Sequence, residues 1–153
     1  MAKPSDADPL VDACITGLLR AEARVSATIE ENLRRHDISA AGFNVLMILA
    51  GNPGPMCPRE ISDRRLVTRG AITGVLRSLE DRSLVRRTRH PDDRRMQLIE
   101  LSPAGTRLLD ELLPEHRRRE CALVARLSER DRSSLARLLG KIGNSPNRRE
   151  VKA

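Results

Sequence analysis

The chain has 153 residues, enough for one compact domain with a real core and no need of disulfide or metal staples. A net charge of +7 points to a polyanionic partner, and aromatic residues at 1% argue against the base-stacking platforms that single-strand binders use. No apolar run approaches the roughly 18 residues that would span a bilayer, so no membrane-spanning helix is expected.

Residues 1–9 read as a loose tail, as do residues 144–153. From Leu10 to Arg35 the spacing of Val11, Ile15, Leu18, Val25, Ile29 and Leu33 predicts a long amphipathic helix. Ser39 is a good N-cap for a second helix over Ala40–Ala50, whose centre is too apolar to be exposed. The run Gly51, Asn52, Pro53, Gly54, Pro55 breaks it.

A short helix is expected over Pro58–Arg65, with proline in the first turn and Glu60 favourably placed for the helix dipole. Thr68 then caps a helix over Arg69–Asp81 with the buried stripe Ile72, Val75, Leu76 and Leu79. Strands are expected over Leu84–Arg89 and Arg95–Leu101, joined by His90, Pro91, Asp92 and Asp93. Ser102 caps, and Pro103 opens, a long segment to Leu127 in which Pro114 should impose a kink or break. Ser128 with Asp131 resembles a capping box for a last helix ending near Gly140 to Gly143.

The third and fourth helices have helix-turn-helix dimensions. With the apolar stripe facing inward, Arg69, Thr73 and Arg77 lie on the opposite side, with Gly70 and Gly74 beside them. Each glycine costs a helix interior about 1 kcal/mol relative to alanine, so two in one exposed sector suggest a close approach to the backbone. Arginine and threonine there suit guanine, thymine methyl and phosphate, and Thr68 at the helix start suits a phosphate. Between Arg64 and Arg95 ten arginines face four acids, a surplus of +6 in one fifth of the chain. On a recognition-type helix followed by a basic hairpin, that concentration reads as a duplex DNA footprint rather than an idle solvated face. Of the 28 basic residues 25 are arginines, which favour bidentate contacts.

The order of helices, the wing with Pro91, Asp92, Asp93, Arg94 and Arg95, and the following Leu101, Ser102, Pro103, Ala104 and Gly105 resemble the MarR family of winged helix-turn-helix repressors. Asp93 and Arg95 match that family's D-x-R wing; Leu101, Ser102 and Gly105 match its L-[ST]-x-x-G helix start. One departure is Ser83, where the family usually has glycine. The resemblance implies a mainly α fold of about six helices plus a two-stranded wing. A single domain would run over residues 10–143, with the winged helix-turn-helix at 38–105 and dimerisation helices at 10–35 and 106–143. It also implies a homodimer on a palindromic double-stranded operator and a small aromatic or phenolic effector. Arg94 or Arg95 would then enter a minor groove, with Asp93 orienting a neighbouring arginine. The expected DNA-binding residues are Thr68, Arg69, Gly70, Thr73, Arg77, Arg86, Asp93, Arg94 and Arg95. Phe43 and Met47 are candidates to line an effector pocket, with core packing the plainer role.

Cys14, Cys57 and Cys121 are scattered without metal-ligand spacing or a secretory signal, so a reducing cytoplasm is the expected location. Some relatives sense peroxide through a cysteine in the first helix. This chain has no tyrosine to position such a thiolate, so Cys14 is expected to pack. No cofactor is expected. His36, His90 and His116 lie far apart and no phosphate loop or H-E-x-x-H motif occurs, which argues against an enzyme. The alternatives are a cysteine-based redox regulator of the same fold and a winged helix that docks on an acidic protein.

Overall fold

The computed structural model describes residues 8–64, 70–91, 93 and 96–143. Six helices and one hairpin occur among them: α1 (Pro9–Arg35), α2 (Ala40–Ala50), α3 (Pro58–Asp63), α4 (Ile72–Asp81), β1 (Val85–Arg89), β2 (Gln97–Leu101), α5 (Pro103–Leu123) and α6 (Glu129–Gly143). The mainly α architecture with a two-stranded wing is as expected. The chain divides into two units, residues 1–119 and 120–153.

Local capping chemistry sets most boundaries. α1 begins at Pro9, one residue earlier than expected, because Asp8 accepts a hydrogen bond from the Leu10 N–H at 2.9 Å. Ser39 accepts from the Gly42 N–H at 3.0 Å and starts α2. Glu60 accepts from the Cys57 N–H at 2.7 Å at the start of α3, and this bond holds its carboxyl below the usual carboxylate range. In the second unit the Ser128 hydroxyl accepts from the Asp131 N–H, and the Asp131 carboxylate accepts from Ser128 in return. That reciprocal box opens α6 where the sequence placed it.

The core of the first unit draws one fully buried side chain from almost every element: Leu33, Leu46, Ile61, Leu76, Ile99 and Leu112. Burying each such side chain contributes about 1.5–3 kcal/mol. β1 and β2 pair antiparallel, with Val85 opposite Leu101 and Arg89 opposite Gln97. The hairpin is also anchored at its base, where Met56 and Ile99 exchange backbone hydrogen bonds of 2.9 and 2.8 Å. The sequence pattern had not singled out Met56.

Several boundaries differ from expectation. α3 ends at Asp63 rather than Arg65, with Arg64 as its C-cap. α4 begins at Ile72, not Arg69, with Ala71 as N-cap and no side-chain cap; Thr68, the expected cap, lies outside the described residues. Its first backbone bond runs from the Val75 N–H to the Ala71 carbonyl, and Gly70 lies in the turn before it. Glycine's high conformational entropy disfavours helix there. Val75 is half-buried rather than buried. β1 starts at Val85 because Leu84 is held as a helix exit, its N–H donating to the Leu79 carbonyl at 2.9 Å. β2 starts at Gln97, two residues later than expected.

Pro114 does not break α5, which runs through it and ends at Leu123 instead of Leu127. Proline removes one N–H from the ladder, but Pro114 and Asp110, whose carbonyl loses its partner, are both exposed, so water can satisfy it.

The turn from α4 into β1 carries the departure noted in the sequence. Ser83 sits at φ 57°, in the left-handed region, and its carbonyl accepts a 2.6 Å hydrogen bond from the Ser102 hydroxyl. A side chain at such φ costs about 1–2 kcal/mol, which glycine avoids at the expense of unfolded-state entropy. Ser83→Gly is therefore expected to stabilise the protein by about 0.5 kcal/mol, because it keeps the accepting carbonyl. Urea unfolding checks this, and a lower midpoint would show that the serine is not strained.

α1 is the exception to a well-buried first unit. Only Asn32 and Leu33 of its residues are buried, while Leu10, Val11, Ile15 and Leu19 are all more than half exposed. The apolar stripe that predicted the helix has no cover within the described chain over its N-terminal half. α6 likewise has no buried residue, leaving Leu135, Leu138, Leu139 and Ile142 exposed.

Candidate nucleic-acid interface

α4 turns Ile72, Leu76 and Leu79 into the core and so presents Thr73 and Arg77 to solvent, one helical turn apart. Arg77 makes no ion pair or hydrogen bond with another described residue. Beside them a Cβ built on Gly74 or on Gly70 would meet nothing within 4 Å. The fold therefore does not require glycine at either position, and the sector is open to an outside surface.

The wing's arginines do different jobs. Strand alternation puts Val85, Arg87 and Arg89 on the face shared with Leu101, Ile99 and Gln97, and Arg86 and Thr88 on the other. Arg86 is exposed and pairs across the strands with Glu100 at 3.3 Å, an exposed contact worth under about 1 kcal/mol. Arg89 is exposed with no partner among the described residues. Arg87 instead turns back onto α4, donating from Nε and Nη2 to the two Glu80 carboxylate oxygens at 2.7 and 2.6 Å, and to the Gln97 side-chain oxygen. That fork holds the Glu80 carboxyl below its usual range and raises the Arg87 guanidinium.

Arg82, the C-cap of α4, is also structural. It donates to the carbonyl oxygens of Asp37 and, at 3.1 Å, of His36, where α1 turns into α2. The count of ten arginines thus overstates what is available to a polyanion, since Arg82 and Arg87 are engaged within the protein. A charge count carries no signal of this, because both partners lie on other elements.

Gly70, Thr73, Arg77 and Arg86 of the expected contacts are exposed, as is Asp93, whose carbonyl accepts from the Met96 N–H at 2.9 Å in the wing turn. Thr68, Arg69, Arg94 and Arg95 lie outside the described residues. Among the described residues no three His, Cys, Asp or Glu side chains gather as a metal site. None of the described helices is long and apolar enough to cross a membrane.

Phe43 is buried and its ring lies 4.6 Å from that of the buried His116, tilted by 53°. Met47 is half-buried. Both serve the core. Asn32 is fully buried, and neither of its amide atoms has a hydrogen-bond partner among the described residues. Nothing in its sequence context marked it. Cys14 and Cys121 are exposed and Cys57 is half-buried. Cys14 therefore does not pack as expected, because its stretch of α1 has no covering element among the described residues.

The comparisons agree with this geometry. The MarR family model matches residues 36–96, from the end of α1 to the wing. The HTH-type transcriptional regulator YkoM of Bacillus subtilis is 30% identical over 130 residues, covering 82% of this chain and 84% of that one. The chain belongs to the MarR family. Among solved MarR-type structures, the MarR transcription factor from Planctomyces limnophilus is 32% identical with a TM-score of 0.68, over 87% of this chain and 97% of that one. Bordetella bronchiseptica BpsR, whose DNA binding is regulated by 6-hydroxynicotinic acid, is 26% identical with a TM-score of 0.75, over 85% of this chain and 98% of that one. Membership makes the protein a DNA-binding transcriptional regulator with a winged helix-turn-helix.

Proposed function

We propose that this MarR-family protein is a cytoplasmic homodimeric repressor that binds a palindromic double-stranded operator and is released by a small aromatic or phenolic acid. The observation that carries the reading is the outward sector of α4, where Thr73 and the unpartnered Arg77 stand beside the open Gly74. A helix with that surface can lie against base edges in a major groove, while the wing follows the backbone to the minor groove. Thr68, Arg69, Gly70 and Arg86, with Asp93, Arg94 and Arg95 of the wing, complete the proposed contact set. Phosphate neutralisation supplies affinity; Arg77, reaching guanine, supplies selectivity.

Release requires an effector that binds better to a non-binding arrangement of the two heads. BpsR supports a small aromatic acid, and the unpaired Asn32 amide supports a polar ligand group or a second subunit as its missing partner. Leaving such a group unpaired costs about 1–3 kcal/mol.

Selection of bound duplexes from a random pool, with salt titration of the recovered sequence, tests the reading. The logarithm of the affinity should fall linearly with the logarithm of salt concentration, by about 0.9 for each phosphate neutralised. Arg77→Ala should cost about 1–3 kcal/mol and relax preference at one base position. A uniform loss across sequences would assign Arg77 to phosphate, and unchanged binding would remove it from the interface.

A further inference from the structure

Two reading elements on one surface help a protein only if the angle between them is set before binding. The wing is a two-stranded ribbon, and such ribbons are marginal and easily twisted on their own. Its base is fixed by the Met56–Ile99 backbone exchange, but β2 continues beyond Ile99 towards the tip through Leu98 and Gln97. Directly opposite Ile99 stands Arg87, whose side chain is about one third exposed and whose donors engage Glu80 on α4 and, towards the tip, Gln97 on β2 together. One guanidinium thus joins the last turns of the reading helix, the middle of β1 and the start of β2.

We infer that Glu80, Arg87 and Gln97 form a brace that presets the angle between α4 and the wing, making Glu80 and Arg87 positioning residues for duplex binding that touch no DNA themselves. The inference rests on the duplex reading proposed above. A planar guanidinium with two parallel bonds to one carboxylate fixes direction as well as distance, which a lysine could not do. An ordered wing avoids the entropy of ordering it at the moment of binding.

Charge and positioning predict opposite signs for one substitution. Glu80→Gln raises the net charge by one, so electrostatic attraction alone would strengthen binding. Loss of the brace should instead weaken it roughly 5- to 20-fold. The measurements are affinity for the duplex recovered by selection, a hydroxyl-radical footprint and a thermal melt. Glu80→Gln and Arg87→Lys should both bind more weakly and lose protection in the flanking minor grooves while keeping it at the centre of each half-site. The reversed pair, Glu80→Arg with Arg87→Glu, should recover the flanking protection and most of the affinity. A pair that merely stabilises the fold would lower the melting temperature of the single variants and leave the footprint unmoved. Glu80→Gln binding as tightly as the wild type, or more tightly, with an intact footprint overturns the brace alone. Failure of the wild type to select any duplex overturns the functional reading and the brace with it.

Discussion

Gly105→Ala is expected to destabilise the protein by about 3 kcal/mol or more, although alanine is the better helix former. Propensity alone predicts the opposite sign, a gain of up to about 1 kcal/mol, because Gly105 lies in the first turn of α5. The contact geometry overrides it. A Cβ at Gly105 would lie 2.2 Å from the Leu84 carbonyl oxygen and 2.8 Å from Leu101 Cδ1. That carbonyl cannot retreat freely, since it accepts from the Ser102 N–H at 3.1 Å. Ser102 in turn caps α5 through the Gly105 N–H at 3.0 Å and holds the Ser83 carbonyl. The start of α5 and the exit from α4 are thus closed against each other with no room for a methyl group. Urea or thermal unfolding reads the effect, and a variant as stable as the wild type would mean that this junction can open.

The second large effect concerns α1. Introducing charge by Val11→Glu with Ile15→Glu places two carboxylates on a stripe already more than half exposed in the single chain. An isolated monomer would tolerate this, within about 0.5 kcal/mol. If the stripe is where a second copy docks, the pair should give a monomer by sedimentation. Affinity for a two-half-site operator should then drop by about 100-fold or more, as bivalent binding becomes monovalent. Monomeric behaviour of the wild type, or a variant that remains dimeric, would move the subunit contact elsewhere.

Much of this molecule could be read along the chain. Order and type of every element followed from apolar periodicity and from signals within three or four residues: Ser39 before Gly42, Pro58 at a helix start, Ser102 before Gly105, Ser128 with Asp131. Caps are local hydrogen bonds, so sequence spacing nearly fixes their geometry. The misreadings fell where such signals competed. The fourth helix was expected from Arg69, yet α4 starts after Ala71; Pro114 was expected to kink or break its helix, and α5 continues through it unbroken. The outward placement of Thr73 and Arg77 was legible for the same reason as the core stripe, because one helical period determines both.

Arginine counting showed that the region was basic, but not which arginines are available. The turn of Arg87 towards Glu80 and the grip of Arg82 on the α1–α2 turn join partners 7 and 45 residues apart on separate elements. The Leu84–Gly105 approach and the Met56–Ile99 exchange are of the same kind. A linear pattern supplies each residue's preferences, which are short-ranged; it does not supply the distances between elements, which emerge only when the hydrophobic stripes find one another. Element identity, basic character and the family signature therefore belonged to the sequence. The division of the arginines into braces and exposed side chains, and the exposure of the α1 stripe, were decided by packing.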